Sequence, residues 1–217
     1  MINFIILIIA TILIFVAFTF SRKINDVAVL IAVAIGCAVN ANIYTTLSRP
    51  IEFLGLTFGI DSILYSLFLL TIIIRMIDYS VKDAQVLTLT AIVAIIISAI
   101  IEYVAEVSYL GYFRFEELFT LLKYFVSTTG TFISVWVMEK MFITLKAKKV
   151  NKYLIILILI AIGSIINAAL LYTYIGITTG FSGKSLSIFL GNLLLRLFCV
   201  VLCQLSVLVY NKLFVKE

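Results

Sequence analysis

Apolar residues in this chain come in long runs and not in alternation. Seven stretches, at about 2–20, 27–47, 60–77, 85–109, 117–145, 153–177 and 186–214, are dominated by Ile, Leu, Val, Phe and Ala. A helix that crosses a bilayer needs roughly 20 predominantly apolar residues. The pattern therefore predicts about seven spanning helices. The segments between them are short and polar, and KAKKVNK at 146–152 is the most basic. None has room for a soluble domain. Residues 1–217 read as a single transmembrane domain, an all-α, polytopic integral membrane helical bundle.

Composition supports that class. The chain is 64% hydrophobic and 12% charged, where globular domains run at roughly 45–50% apolar and about 25% charged. The first run has no positive residue before it, and Arg22 and Lys23 follow it. A cleavable signal peptide has the opposite order, so a retained span is expected. With the N-terminus outside, Arg22, Lys23, Arg75, Lys82, Lys140, Lys146, Lys148, Lys149, Lys152, Lys212 and Lys216 fall on the cytoplasmic side, and Arg49, Arg114 and Lys184 on the outer side. That bias obeys the positive-inside rule for seven spans. It predicts a cytoplasmic C-terminus in a multi-pass protein of the cell membrane. The net charge of +5 belongs to this topology and is not a nucleic-acid footprint.

Several chemistries are disfavoured. There is no histidine, hence none of the usual general bases or metal ligands. Cys37, Cys199 and Cys203 lie in apolar runs without a zinc or redox spacing and read as small buried hydrophobes. Neither GxxxxGK[ST] nor GxGxxG occurs, so the chain is not expected to hydrolyse ATP itself. No cofactor or metal is expected, and no acid–base machinery of an enzyme is recognisable.

Polar residues inside the runs are the candidate site. Arg196 lies about eleven residues into the last span, too deep to snorkel easily. A central Arg costs roughly 2.5–3.5 kcal/mol on insertion scales, so such residues face a bundle interior or a cavity. Asn192 is one turn earlier on the same face. In the sixth span, Ser164 and Asn167 share a face and suit either a ligand or a neighbouring helix. In the fifth, Lys123 suits an ion pair or gate with Glu102 or Glu106 at the outer end of the fourth. The second span carries two ladders of small residues, Ala28–Ala32–Gly36 and Ala34–Ala38–Asn42. They suit close helix packing or the docking of another membrane subunit.

The order of these segments resembles the VUT family of vitamin uptake transporters, also called queuosine precursor transporters. The second span ends in Ala41-Asn42-Ile43. The stretch IEFLGLTFGIDSILYSLFLLT, 51–71, is similar to the family's phenylalanine–glycine turn and the helix after it, which carries Tyr65 and then Phe68-Leu69-Leu70-Thr71. Ser164 resembles the family's serine–threonine position, Asn167 its glutamine, and Arg196 the lysine of its last span. The family's acidic positions after the threonine are Ile72 and Met76 here. The resemblance implies six core helices like the substrate-binding subunits of energy-coupling-factor importers, plus one N-terminal helix. It also implies a purine-like or vitamin-like solute.

The expectation is a carrier for a small polar or anionic organic solute in a mid-membrane cavity between spans three, six and seven. Arg196 supplies the charge, Thr71, Ser164, Asn167 and Asn192 the hydrogen bonds, and Tyr65 or Tyr172 a stacking ring. No intramembrane carboxylate stands out as a proton carrier. The alternatives are a membrane subunit that binds substrate for an ATPase partner, and a non-transport structural or regulatory protein.

Overall fold

The computed structural model describes the backbone of residues 2–47, 51–110 and 115–214. The side chains of 42–47, Glu106, Val107, Leu110, 115–121, Lys123, Ile175, 178–179 and Lys184 lie outside the described set. Seven helices form among the described residues: α1 (Ile2–Ser21), α2 (Asp26–Leu47), α3 (Asp61–Ile74), α4 (Val81–Leu110), α5 (Phe115–Ala147), α6 (Lys152–Thr179) and α7 (Gly183–Phe214). A π-helical turn, Arg75–Tyr79, closes α3. The helices coincide with the seven apolar stretches of the sequence to within a few residues.

Five of the seven helices contain a stretch long and apolar enough to cross a membrane: Ile2–Ser21, Asp61–Tyr79 with the π-helical turn, Val81–Ala105, Lys152–Tyr174 and Ser185–Phe214. The helix α2 adds a shorter apolar stretch, Asp26–Ala41. Large apolar side chains such as Leu13, Ile101, Val201 and Leu205 stand exposed on the outside of the bundle. A water-soluble surface does not carry apolar area on that scale, and this is the exterior of a membrane protein.

The sequence DSILYSLFLLTIII of α3 is apolar on every side, with thirteen of its fourteen residues buried. A helix that is hydrophobic all round belongs in a core. Here α3 packs on α2, α6 and α7, while α4 and α5 complete the wall through α2 and α6. The helix α1 stands outside this group and rests mainly on α7.

Residues 51–58, unassigned between two spans in the sequence pattern, form a β-hairpin. Strands β1 (Ile51–Phe53) and β2 (Leu56–Phe58) pair antiparallel, with Ile51 opposite Phe58 and Phe53 opposite Leu56. Leu54 and Gly55 make the two-residue turn, both at positive φ. Tight hairpins favour that geometry because its twist matches the strands, and glycine adopts it without strain. The hairpin is anchored from two sides. Phe4 of α1 stacks on Phe53 at 4.3 Å between ring centroids, and β2 lies along α7.

The opposite end of the bundle is tied by charge. Arg22, at the end of α1, is 3% exposed. Its Nε meets Asp26 at 2.5 Å and its Nη2 meets Asp78 at 3.7 Å. The guanidinium also lies 3.9 Å from the centroid of the Tyr210 ring. Arg75 lies 4.2 Å from the Tyr79 ring and 3.6 Å from Asp83.

The two small-residue ladders of α2 part company. Ala34 and Ala38 are buried against the bundle. Ala28 and Ala32 are exposed, and a Cβ added at Gly36 meets nothing within 4 Å. Asn42 lies outside the described side chains.

Candidate functional site

The approach of α7 to the hairpin sets the site. An added Cβ at Gly191 falls 2.2 Å from the Thr57 carbonyl oxygen, so only glycine lets the two backbones touch. One residue on, the Asn192 amide oxygen accepts the Gly59 N–H at 2.8 Å. This clamp fixes the turn from β2 into α3 against α7. It sets Ser62 and Tyr65, one turn apart on α3, opposite Arg196, one turn beyond Asn192.

Arg196 is 2% exposed. Its Nε donates to Ser62 Oγ at 3.3 Å, and its Nη1 donates to the Ser164 carbonyl at 3.2 Å and to Asn167 Oδ1 at 3.0 Å. The carbon of the guanidinium lies 4.7 Å from the centroid of the Tyr65 ring, within cation–π range. Three helices thus converge on one cation. Every hydrogen bond described for it goes to a neutral group. Asp61, buried at the start of α3, acts on it electrostatically.

One hydroxyl of this cluster, Ser164 Oγ, lacks a hydrogen-bond partner among the described residues. Thr131 and Ser134 of α5 lie beside the Tyr65 hydroxyl. Their own protons go to carbonyls, Thr131 to Ser127 at 2.9 Å and Ser134 to Gly130 at 2.7 Å, which leaves their oxygens able to accept from Tyr65. A buried polar atom without a partner costs about 1–3 kcal/mol. Such groups beside a buried guanidinium are suited to a polar solute that supplies acceptors.

The expected site residues therefore divide. Arg196, Ser164, Asn167 and Tyr65 come together. Asn192 is adjacent, but its amide oxygen is spent on the hairpin clamp. Thr71 is buried with its hydroxyl donated to the Phe68 carbonyl at 2.7 Å. It lies nine residues beyond Ser62, about 13 Å further along α3 at 1.5 Å per residue, and is not among the groups that meet Arg196. Tyr172 packs against Phe181 and Phe189, with centroids at 5.7 and 4.8 Å, and takes no part in the cluster. Glu102 accepts a hydrogen bond from the Tyr124 hydroxyl. Lys123 and Glu106 lie outside the described side chains.

Ser62 and Asp61 were not among the residues expected from sequence. The available signal was weak: a polar pair at the start of a run reads as a helix start. A second omission is larger. Glu139, in α5, is 8% exposed and accepts a hydrogen bond from Gln85 at 2.9 Å. Its neighbours Lys140 and Lys146 made it look like part of a solvated end.

No family model, curated protein or solved structure matches the chain.

Proposed function

We propose that the chain is a membrane carrier for a small polar or anionic organic solute, bound where α3, α6 and α7 meet. The observation that carries this reading is the buried Arg196. It is held by neutral dipoles alone in its described hydrogen bonds, with the Tyr65 ring on its face and the unpartnered Ser164 hydroxyl in the same cluster. The resemblance to the VUT family favours a queuosine precursor or a vitamin-like compound as the solute. In this reading all seven helices cross the cell membrane, the N-terminus lies outside, and the hairpin caps the outer mouth of the pocket. The Arg22 cluster then lies at the cytoplasmic end, in accord with the positive-inside rule.

A ligand that binds the native state raises its apparent stability by mass action. The test is a thermal-shift screen of purified, detergent-solubilised protein with deazapurine queuosine precursors, vitamins and small organic anions, with Arg196→Leu beside wild type. The expected result is a shift in wild type that is lost in the variant. No shift with any compound, together with a more stable variant, is the signature of a non-transport protein with a relic charge. Replacing a buried ion by an apolar group of similar volume is often neutral or stabilising.

A second reading rests on the outward face of α2. Ala28, Ala32 and the open flank of Gly36 suit the close approach of another membrane helix. It makes the chain the solute-binding subunit of an importer driven by a separate ATPase. Copurification of such an ATPase, abolished by Ala32→Phe, supports it. Solute uptake into liposomes by the chain alone refutes it.

A further inference from the structure

A second polar locus lies between α4 and α5, away from Arg196. The helix α5 presents Phe132, Val135, Trp136 and Glu139 on one face, and α4 presents Gln85, Thr88 and Leu89. Together they line a cavity of about 180 Å³. Its wall is mostly apolar and aromatic, and one carboxylate stands in it. Glu139 lies eight residues before Ala147, the end of α5, about 12 Å along the axis at 1.5 Å per residue. Its side chain is buried between the two helices.

The carboxylate has little to neutralise it. Its described partner is the Gln85 amide, a neutral donor. Among the described residues no ion pair within 4.0 Å includes Glu139. Thr88 gives its hydroxyl proton to the Ala84 carbonyl at 2.8 Å. A buried carboxylate is expensive unless it is paired and hydrogen-bonded. The aromatic faces of Trp136 and Phe132 attract cations. Trp136 and Phe132 are each about half exposed at the edge of the groove.

We propose that this groove binds a small organic ammonium cation. The Glu139 carboxylate balances its charge, and Trp136 and Phe132 embrace its alkyl or aryl body. Charge complementarity selects a cation over an anion, and the aromatic walls select an organic cation over a hydrated metal ion. The site shares no residue with the Arg196 cluster and stands or falls independently of it.

Trp136 is the sole tryptophan of the chain, so its emission reports on this groove alone. The experiment titrates purified full-length protein, in detergent free of choline groups, with 1-methylpyridinium, a flat organic cation that quenches indole on contact. Wild type is expected to show saturable quenching that tetraethylammonium reverses. Glu139→Gln is expected to weaken the affinity at least tenfold, leaving only linear collisional quenching. Leu89→Phe keeps the carboxylate, narrows the cavity from an exposed position that cannot disturb the core, and is expected to weaken binding severalfold. Linear quenching in wild type overturns the proposal, as do wild-type curves in both variants. Displacement by dodecylphosphocholine but not by tetraethylammonium assigns the groove to a lipid headgroup and overturns a free cation.

Discussion

Two arginines in this bundle are equally hidden and differently held. Arg22 is 3% exposed and Arg196 is 2% exposed. Arg22 sits at a helix end between Asp26 and Asp78, with Tyr210 against its face. Arg196 sits in mid-helix, and its described hydrogen bonds go to a hydroxyl, a carbonyl and an amide. Carboxylates close the first site to any further anion. Neutral dipoles leave the second with positive charge to offer, tempered by Asp61. Burial by itself therefore says little about an arginine's role, and the charge of its partners says more.

The sharpest way to break this contrast is Arg22→Met. It leaves two carboxylates facing each other without their cation and removes the stacking on Tyr210. Breaking a buried ion pair from one side costs about 3–5 kcal/mol. Asp78 is 47% exposed and Asp26 22%, so solvent screening reduces that to about 2–3 kcal/mol. A lowered unfolding temperature, with any solute-induced shift retained, is the expected outcome; an unchanged unfolding temperature would erase the distinction.

Gly191→Ala attacks the other region through its frame. The new methyl meets the Thr57 carbonyl, so α7 must retreat from the hairpin at a cost of about 1–3 kcal/mol, typical of overpacking. Gly36→Ala is its control, since that flank is open and alanine favours a helix over glycine by about 1 kcal/mol. Thermal unfolding of the pair should move in opposite directions. The smallest effect is expected of Asn192→Ala, which leaves the Gly59 N–H without its acceptor at about 1 kcal/mol. Its signature is functional: the Arg196 cluster loosens, and the solute-induced thermal shift falls.

The helices were legible because long apolar runs leave few alternatives, and their ends matched to within a few residues. The hairpin was not legible. Its strands are three residues each, too short for a period-two pattern to emerge from the flanking runs, and a leucine occupies the first turn position where Asn or Gly is the usual cue. In the site, Arg196, Ser164, Asn167 and Tyr65 were recoverable because a polar residue in hydrocarbon must face inward. Thr71 stands apart from the Arg196 cluster, its hydroxyl given to a carbonyl in its own helix, an option every threonine carries. Glu139 was hidden by its lysine neighbours. Helical periodicity does not reveal that α4 presses Gln85 against it.

The chain's outermost helix has a consequence for how the protein is made. Phe15, Phe18 and Thr19 of α1 are buried, and Thr19 shares a hydrogen bond with Ser206 of α7. Their partner helix leaves the ribosome after the other six. During synthesis α1 must therefore wait in lipid with that face unmatched, and the hairpin lacks its backing from α7 for as long. Docking of α1 joins two helices far apart in the chain, and a stall before α7 leaves a bundle that has neither Arg196 nor a seat for α1.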